Sequence, residues 1–152
     1  MATNYSYTAC GAPTTVSASG IITPSGSFTV SWSGATAGTA NSITSYRIYY
    51  AITSNGAAPS TSSSYVDVSS TATSGSKTIT LSNATRGYKV VCGVQTRGSA
   101  GSSYYSGLKT GGSVTINSLP AAPSVSVDKT ALPSSGGTVT FTVSAGSDSD
   151  SS

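Results

Sequence analysis

A chain of 152 residues has room for one domain of about 100 residues and a remainder. Only 7% of its residues are charged, against about 25% in ordinary soluble domains, and Ser and Thr supply more than a third of the chain. There is no histidine and no glutamate, and residues 1–117 hold a single acid, Asp67, so a Ser-His-Asp or Cys-His triad, a histidine metal site and a carboxylate pair are excluded there.

The net charge of +3 is unevenly placed. Arg47, Lys77, Arg86, Lys89, Arg97 and Lys109 face only Asp67 up to residue 117, whereas Lys129 is outweighed by Asp128, Asp148 and Asp150 beyond it. The six cations are scattered over separate segments with no recognition motif, which reads as solvated surface and not as a nucleic-acid interface. A hydroxylated, weakly charged exterior repels its neighbours little and suits a protein held in an assembly or carrying sugars.

Residues 1–11 form a polar arm with Tyr5 and Tyr7. Met1 to Ala9 lacks a basic region followed by an apolar core, and no apolar run is long enough to span a membrane, so neither a signal peptide nor a membrane partner is expected. The domain opens at Ala12-Pro13, with Thr14–Ala18 as its first strand. After the turn Thr23-Pro24-Ser25-Gly26, Ser27–Ser33 alternates cleanly and places Phe28, Val30 and Trp32 on one face. Gly34–Asn41 is a small-residue loop. Ile43–Ile52 is the third strand, with Tyr46, Ile48 and Tyr50 on one face and Arg47 and Tyr49 on the other.

Asn55-Gly56 marks a turn, Tyr65–Val68 a short edge strand, and Lys77–Leu81 the next strand. Ser82–Arg86 is a polar turn. From Tyr88 onwards Tyr88, Val90, Cys92 and Val94 alternate with Lys89, Val91, Gly93 and Gln95, a strand with one buried face. Arg97-Gly98-Ser99-Ala100-Gly101 reads as a hairpin loop and Ser103–Ile116 as the last strand, with a break at Gly111-Gly112. No helical periodicity of useful length occurs, so the class is all-β.

Several placed residues carry a resemblance to a known family: Pro13 at the entry, Trp32 closing the second strand, Tyr46-Arg47-Ile48-Tyr49-Tyr50 on the third, and Leu81 ahead of a corner tyrosine, Tyr88. Together they resemble a fibronectin type III domain over residues 12–117. The resemblance implies a seven-stranded immunoglobulin-like β-sandwich with Phe28, Val30, Trp32, Tyr46, Ile48, Leu81, Tyr88, Val90, Cys92 and Val94 in its core. It also implies that the Tyr88 hydroxyl bonds to backbone near Ser82–Arg86. The turn before the corner tyrosine, Asn83-Ala84-Thr85-Arg86, lacks the proline that the family often has there.

Residues 118–123, Ser-Leu-Pro-Ala-Ala-Pro, read as a stiff linker. Its last two residues, Ala122-Pro123, and then Thr138-Val139-Thr140-Phe141-Thr142-Val143-Ser144 echo Ala12-Pro13 and Phe28-Thr29-Val30-Ser31, one domain length later. Residues 124–146 are therefore expected to supply two strands of an incomplete second immunoglobulin-like domain, with 147–152 as a tail. The domain is expected to be completed within a longer multi-domain protein or, as the alternative, by strands from another copy.

Site residues are sparse. No catalytic, metal-binding or cofactor-binding residue emerges. Arg97-Gly98-Ser99 lacks the aspartate of a receptor-binding Arg-Gly-Asp and reads as an ordinary loop. Asn4-Tyr5-Ser6 and Asn83-Ala84-Thr85 match the short glycosylation pattern. Cys10 and Cys92 leave a bridge open, because spacing alone does not bring two Cα atoms within about 7 Å. Tyr49, Tyr65, Tyr104 and Tyr105 form a candidate interface, since tyrosines supply contact area at low entropic cost. The expected function is non-enzymatic. It is that of a structural or binding module of the kind found in bacteriophage virion proteins (decoration, fibre or tail), acting on protein partners or on itself. A cell-surface adhesin or a carbohydrate-binding accessory module is the alternative.

Overall fold

The structure, a computed structural model, describes residues 6–20, 22–117 and 120–147. Strands β1 (Thr15–Ser19), β2 (Ser27–Ser33), β3 (Ile43–Thr53), β4 (Ser64–Ser69), β5 (Gly75–Thr80), β6 (Lys89–Gly98) and β7 (Lys109–Thr115) belong to one unit, Met1–Asn117. Strands β8 (Ser124–Val127) and β9 (Phe141–Ser144) belong to a second, Ser118–Ser152. The chain thus has nine strands among its described residues, seven of them in the first unit.

Those seven make an all-β, immunoglobulin-like sandwich. A three-stranded sheet in the order β1-β2-β5 faces a four-stranded sheet in the order β4-β3-β6-β7, and every strand pair is antiparallel. Period-two alternation decides which side chains fill the space between them. Phe28, Val30 and Trp32 point inward from β2, Tyr46 and Ile48 from β3, Val90, Cys92 and Val94 from β6, and all are buried. Leu81 completes the group from just beyond β5. Aromatic rings tie the two sheets together: Trp32 meets Tyr46 at 4.9 Å between ring centroids, and Phe28 meets Tyr50 edge-on at 6.2 Å.

The abundance of Ser and Thr has a local physical reason on the other side of the three-stranded sheet. There Thr15 pairs with Ser33 (2.6 Å), Ser27 with Thr80 (2.8 Å) and Thr29 with Thr78 (3.1 Å), hydroxyl to hydroxyl across adjacent strands. Such cross-strand pairs contribute roughly 0.2–1 kcal/mol each, so an uncharged exterior still stabilises the sheet.

The last strand is shorter than its sequence reads. Ser102–Tyr104 forms a single 3₁₀ turn and β7 starts only at Lys109. β7 then passes so close to β1 that a side chain on Gly112, at φ +71°, would strike the Ala18 backbone. The ladder between β6 and β7 shifts register at Val91/Cys92, opposite this glycine pair. Glycine is required at that crossing by both space and backbone angle.

The corner tyrosine departs from expectation. Tyr88 lies just ahead of β6, half-buried and packed on the core. Its hydrogen bonds among the described residues run through backbone: the N–H donates to the Thr85 carbonyl (3.3 Å), and its carbonyl accepts from Ile116 (2.8 Å). The tyrosine whose hydroxyl reaches backbone is Tyr46, which donates to the Ala72 carbonyl. Tyr46 is fully buried, and its phenol needs a partner there.

The second unit is a two-stranded ribbon in which Val125 faces Val143 and Val127 faces Phe141, while Ser124, Ser126, Thr142 and Ser144 line the reverse face. Asp128 clips the strand ends, its N–H reaching the Thr140 carbonyl (3.1 Å) and its carboxylate accepting from the Thr140 N–H (2.8 Å). All four apolar side chains of the ribbon are exposed, Phe141 at 67%.

Candidate binding surface

The outward face of the four-stranded sheet carries the most chemistry. Alternation turns Arg47 and Tyr49 of β3 outward, and the register sets Asp67 of β4 beside Arg47 and Tyr65 of β4 beside Tyr49. On the other side of β3, Gln95 of β6 lies beside Arg47 and Gly93 beside Tyr49. Arg97 stands two residues further along β6 on the same face.

Two strands therefore bring opposite charges into direct register, and they pair. Arg47 Nε and Nη2 donate to Asp67 Oδ1 and Oδ2, each at 2.6 Å, a two-point fork. Asp67 keeps 50% of its side-chain exposure, so this is a surface ion pair with good geometry, worth about 1 kcal/mol or less. Hydrogen bonding from Arg47 holds the Asp67 carboxyl below its ordinary value, and the carboxylate holds the guanidinium still further above its own. The Arg47 guanidinium also lies over the Tyr65 ring, 3.6 Å from its centroid. Arg97 lies over the Tyr105 ring at 4.8 Å, with its Nη1 4.0 Å from Asp67 Oδ1. The result is a row Tyr65–Arg47–Asp67–Arg97–Tyr105 across the sheet.

The four candidate tyrosines do not act as one group. Tyr65 is exposed (51%) and Tyr105 half-buried, and these two bracket the arginines. Tyr49 points outward yet is only 4% exposed. Tyr65 meets it edge-on at 5.9 Å on one side. On the other side Gly93 has no side chain, and Leu108 fills the space, lying 2.9 Å from where a Cβ on Gly93 would stand. Tyr49 is thus the floor of the surface and not part of its contact layer. Tyr104 sits elsewhere, at one end of the sandwich, with its ring 5.6 Å from that of Tyr7.

That end of the sandwich is closed by a residue that periodicity does not mark. Asn41 is buried, and its Nδ2 donates to the carbonyls of Thr8 (3.0 Å) and Tyr104 (3.1 Å). Its Oδ1 accepts from the Ala100 N–H (3.0 Å). One amide therefore ties the N-terminal segment to the β6–β7 connection, and Cys10 N–H adds a bond to the Tyr104 carbonyl (3.0 Å). Arg97 and Gly98 belong to β6 and are not the tip of a loop, because β6 goes on pairing with Ile43 and Ser45 across an irregularity in β3. Gly98 is buried against Asn41, so the Arg97-Gly98-Ser99 triplet is not presented as a receptor tip.

Cys10 and Cys92 are both free and buried. Cys10 Sγ packs at Gly98, six residues along β6 from Cys92, a span of about 20 Å at strand rise. They cannot bridge without unfolding. Burial pushes the Cys92 thiol up to about 12. Asn83 is exposed in its turn, at φ +54°, while Asn4 lies outside the described residues. Among the described residues no three or more His, Cys, Asp or Glu side chains gather as metal ligands, and no helix is long and apolar enough to cross a membrane. No protein-family model matches the sequence, and neither does any curated protein.

Proposed function

We propose that the chain is a non-enzymatic structural and binding module of the fibronectin type III kind that works by protein–protein assembly, as a decoration, fibre or tail-associated component of a virion. The sheet order, β1-β2-β5 against β4-β3-β6-β7, supports the fibronectin type III reading of Pro13, Trp32, Tyr46 and Tyr88. The virion setting rests on analogy with hydroxyl-rich, weakly charged assembly proteins.

The observation that carries assembly is the β8–β9 ribbon. Val125, Val127, Phe141 and Val143 occupy one face and are all exposed, and two strands do not bury a core alone. In the first unit the corresponding inward face of β1 and β2 is covered by a second sheet. The ribbon echoes the sequence of that covered hairpin, so its natural complement is a further set of protein strands, from the same polypeptide or from another copy. The free edge of β5 is a poorer contact. Lys77 occupies an inward-facing register position opposite Val30 yet is exposed, and a charge so placed discourages pairing by another strand.

Sedimentation across a concentration series tests the reading. The full chain should self-associate or capture the proteins that flank it in its native assembly. Phe141→Ser with Val143→Ser should remove that behaviour while the sandwich stays folded. A full chain that stays monomeric and captures nothing would sink the proposal. A second reading, a glycan-binding accessory module, is favoured by one observation, the exposed ring of Tyr65 on a sheet face. Glycan-array binding that disappears in Tyr65→Ala would establish it.

A further inference from the structure

Arg47 and Arg97 share one outward face but are satisfied very differently. Both Asp67 oxygens are engaged by the Arg47 fork. Arg97 reaches Asp67 only at 4.0 Å, beyond hydrogen-bond length, and its guanidinium donates to no described residue. Its Nε is sealed from solvent with no partner, whereas its Nη nitrogens are not sealed and are the ones an incoming carboxylate can reach; the side chain as a whole is 18% exposed. The Arg97 guanidinium lies over the Tyr105 ring, its Cζ 4.8 Å from the ring centroid. Around Asp67 the face therefore holds two cations against one carboxylate, and the surplus charge there belongs to Arg97, with Lys89 eight residues away at the other end of β6.

A guanidinium offers five donors in a rigid planar fork that matches a carboxylate in two-point geometry. One that is stacked, largely desolvated and without an acceptor is already organised for an incoming anion, since the ordering of the side chain is complete before the ligand arrives. The surroundings suit a protein surface, with the exposed Tyr65 on one flank and Leu108 laid over Gly93 on the other. Arginine and tyrosine are the residues that most often anchor protein interfaces.

We propose that Arg97, held by Tyr105, is the carboxylate-binding anchor of a docking surface for an acidic protein segment on the outer face of the four-stranded sheet. A sugar fits less well at Arg97 itself, because the adjoining Tyr105 ring is half-buried and has the guanidinium over one face. This surface lies on the first unit and is separate from the β8–β9 ribbon, so it stands or falls independently of assembly through that ribbon.

The test follows the backbone amide and arginine Nε–H signals of the ¹⁵N-labelled full chain by NMR during titration with three probes: a short Glu/Ser peptide, the same peptide with Gln for Glu, and oligogalacturonate. The Glu peptide should shift the Arg97 signal and those of its neighbours Arg47 and Tyr105. Arg97→Lys keeps the charge and the stem but loses the fork, and should weaken that binding about tenfold or more. Arg86→Lys, on the β5–β6 turn, should leave it unchanged. Circular dichroism of each variant shows that the sandwich is intact. Equal binding of the Gln peptide, equal binding by Arg97→Lys, or shifts centred on Lys77 and Lys89 would overturn the proposal. Tighter binding of oligogalacturonate would overturn the protein partner and assign the anchor to an acidic sugar.

Discussion

Arg47 and Asp67 meet across β3 and β4 as a two-point fork, with both nitrogen–oxygen distances at 2.6 Å. The fork carries a pH signature. The Asp67 carboxyl titrates lower in the folded chain than the value of about 4 expected when unfolded. A folded value below the unfolded one stabilises above about pH 4 and loses that contribution as pH falls through the folded value. Asp67→Asn should therefore lower the urea midpoint at pH 7 by an amount equivalent to about 0.5 kcal/mol, a figure kept small by solvent screening of a half-exposed pair. The same comparison at successively lower pH below 4 should show the two proteins converging.

Tyr46 and Tyr88 separate by a single-atom substitution. Tyr46→Phe removes the donor that the Ala72 carbonyl receives in a buried setting and should cost about 0.5–1.5 kcal/mol. Tyr88→Phe leaves its backbone bonds to Thr85 and Ile116 intact and should change stability by a few tenths of a kcal/mol at most. Paired denaturant titrations of the two variants measure the difference directly. An equal loss in both would return the corner-bond role to Tyr88.

Cys92 should be chemically silent in the native protein. Its thiol is raised from 9.0 to about 12 by burial, so almost no thiolate exists at pH 8. Ellman's reagent at that pH should leave Cys92 unlabelled until guanidinium unfolds the chain, after which two thiols react and none is found bridged. The folded form holds its proton to higher pH than the unfolded form, so this group's contribution to stability falls as pH rises above about 9 towards 12.

What the sequence made legible, and what it did not, follows from how far each property depends on neighbours. Phe28, Val30 and Trp32 needed only period-two alternation and the size of their side chains, and β2 begins and ends where that alternation does. The direction of Tyr49 was equally legible, because direction is local to the strand. Its burial was not, since that comes from Tyr65 on the next strand and from Leu108 crossing over Gly93. Arg97-Gly98 has the composition of a turn, yet its pairing with Ile43 and Ser45 keeps it in β6 and brings Arg97 onto the charged face. The hydroxyl bond expected from Tyr88 to Ser82–Arg86 is not among its bonds to described residues, which run through its backbone to Thr85 and Ile116, while segment 70–74 delivers the Ala72 carbonyl to the Tyr46 hydroxyl. Asn41 carried no periodic signal at all. Its role depends on three carbonyl and amide groups that only the folded chain places together.

Asn41 gives the sharpest stability test. Replacing it with Ala leaves the carbonyls of Thr8 and Tyr104 and the N–H of Ala100 without their side-chain partner in a part-buried setting. The Tyr104 carbonyl keeps its bond from Cys10 N–H, so the unmet groups are chiefly those of Thr8 and Ala100. At about 1–3 kcal/mol for a fully buried group left unsatisfied, two groups in a part-buried setting point to the lower half of the range, a loss of about 2–4 kcal/mol. Hydrogen exchange locates it: the amides of Thr8, Cys10 and Ala100 should lose protection first, while Val30 and Val94 in the central strands keep theirs up to global unfolding. Asn41→Asp separates shape from donation, because it preserves the acceptor for Ala100 and removes both Nδ2 donors. Exchange that accelerates at Thr8 and Cys10 but stays slow at Ala100 would show that the bonds from the amide nitrogen, and not the one accepted by the amide oxygen, help fasten the N-terminal segment. Unchanged exchange at Thr8 in both variants would mean that the bonds of Thr8 to Thr39 suffice to hold the segment without Asn41.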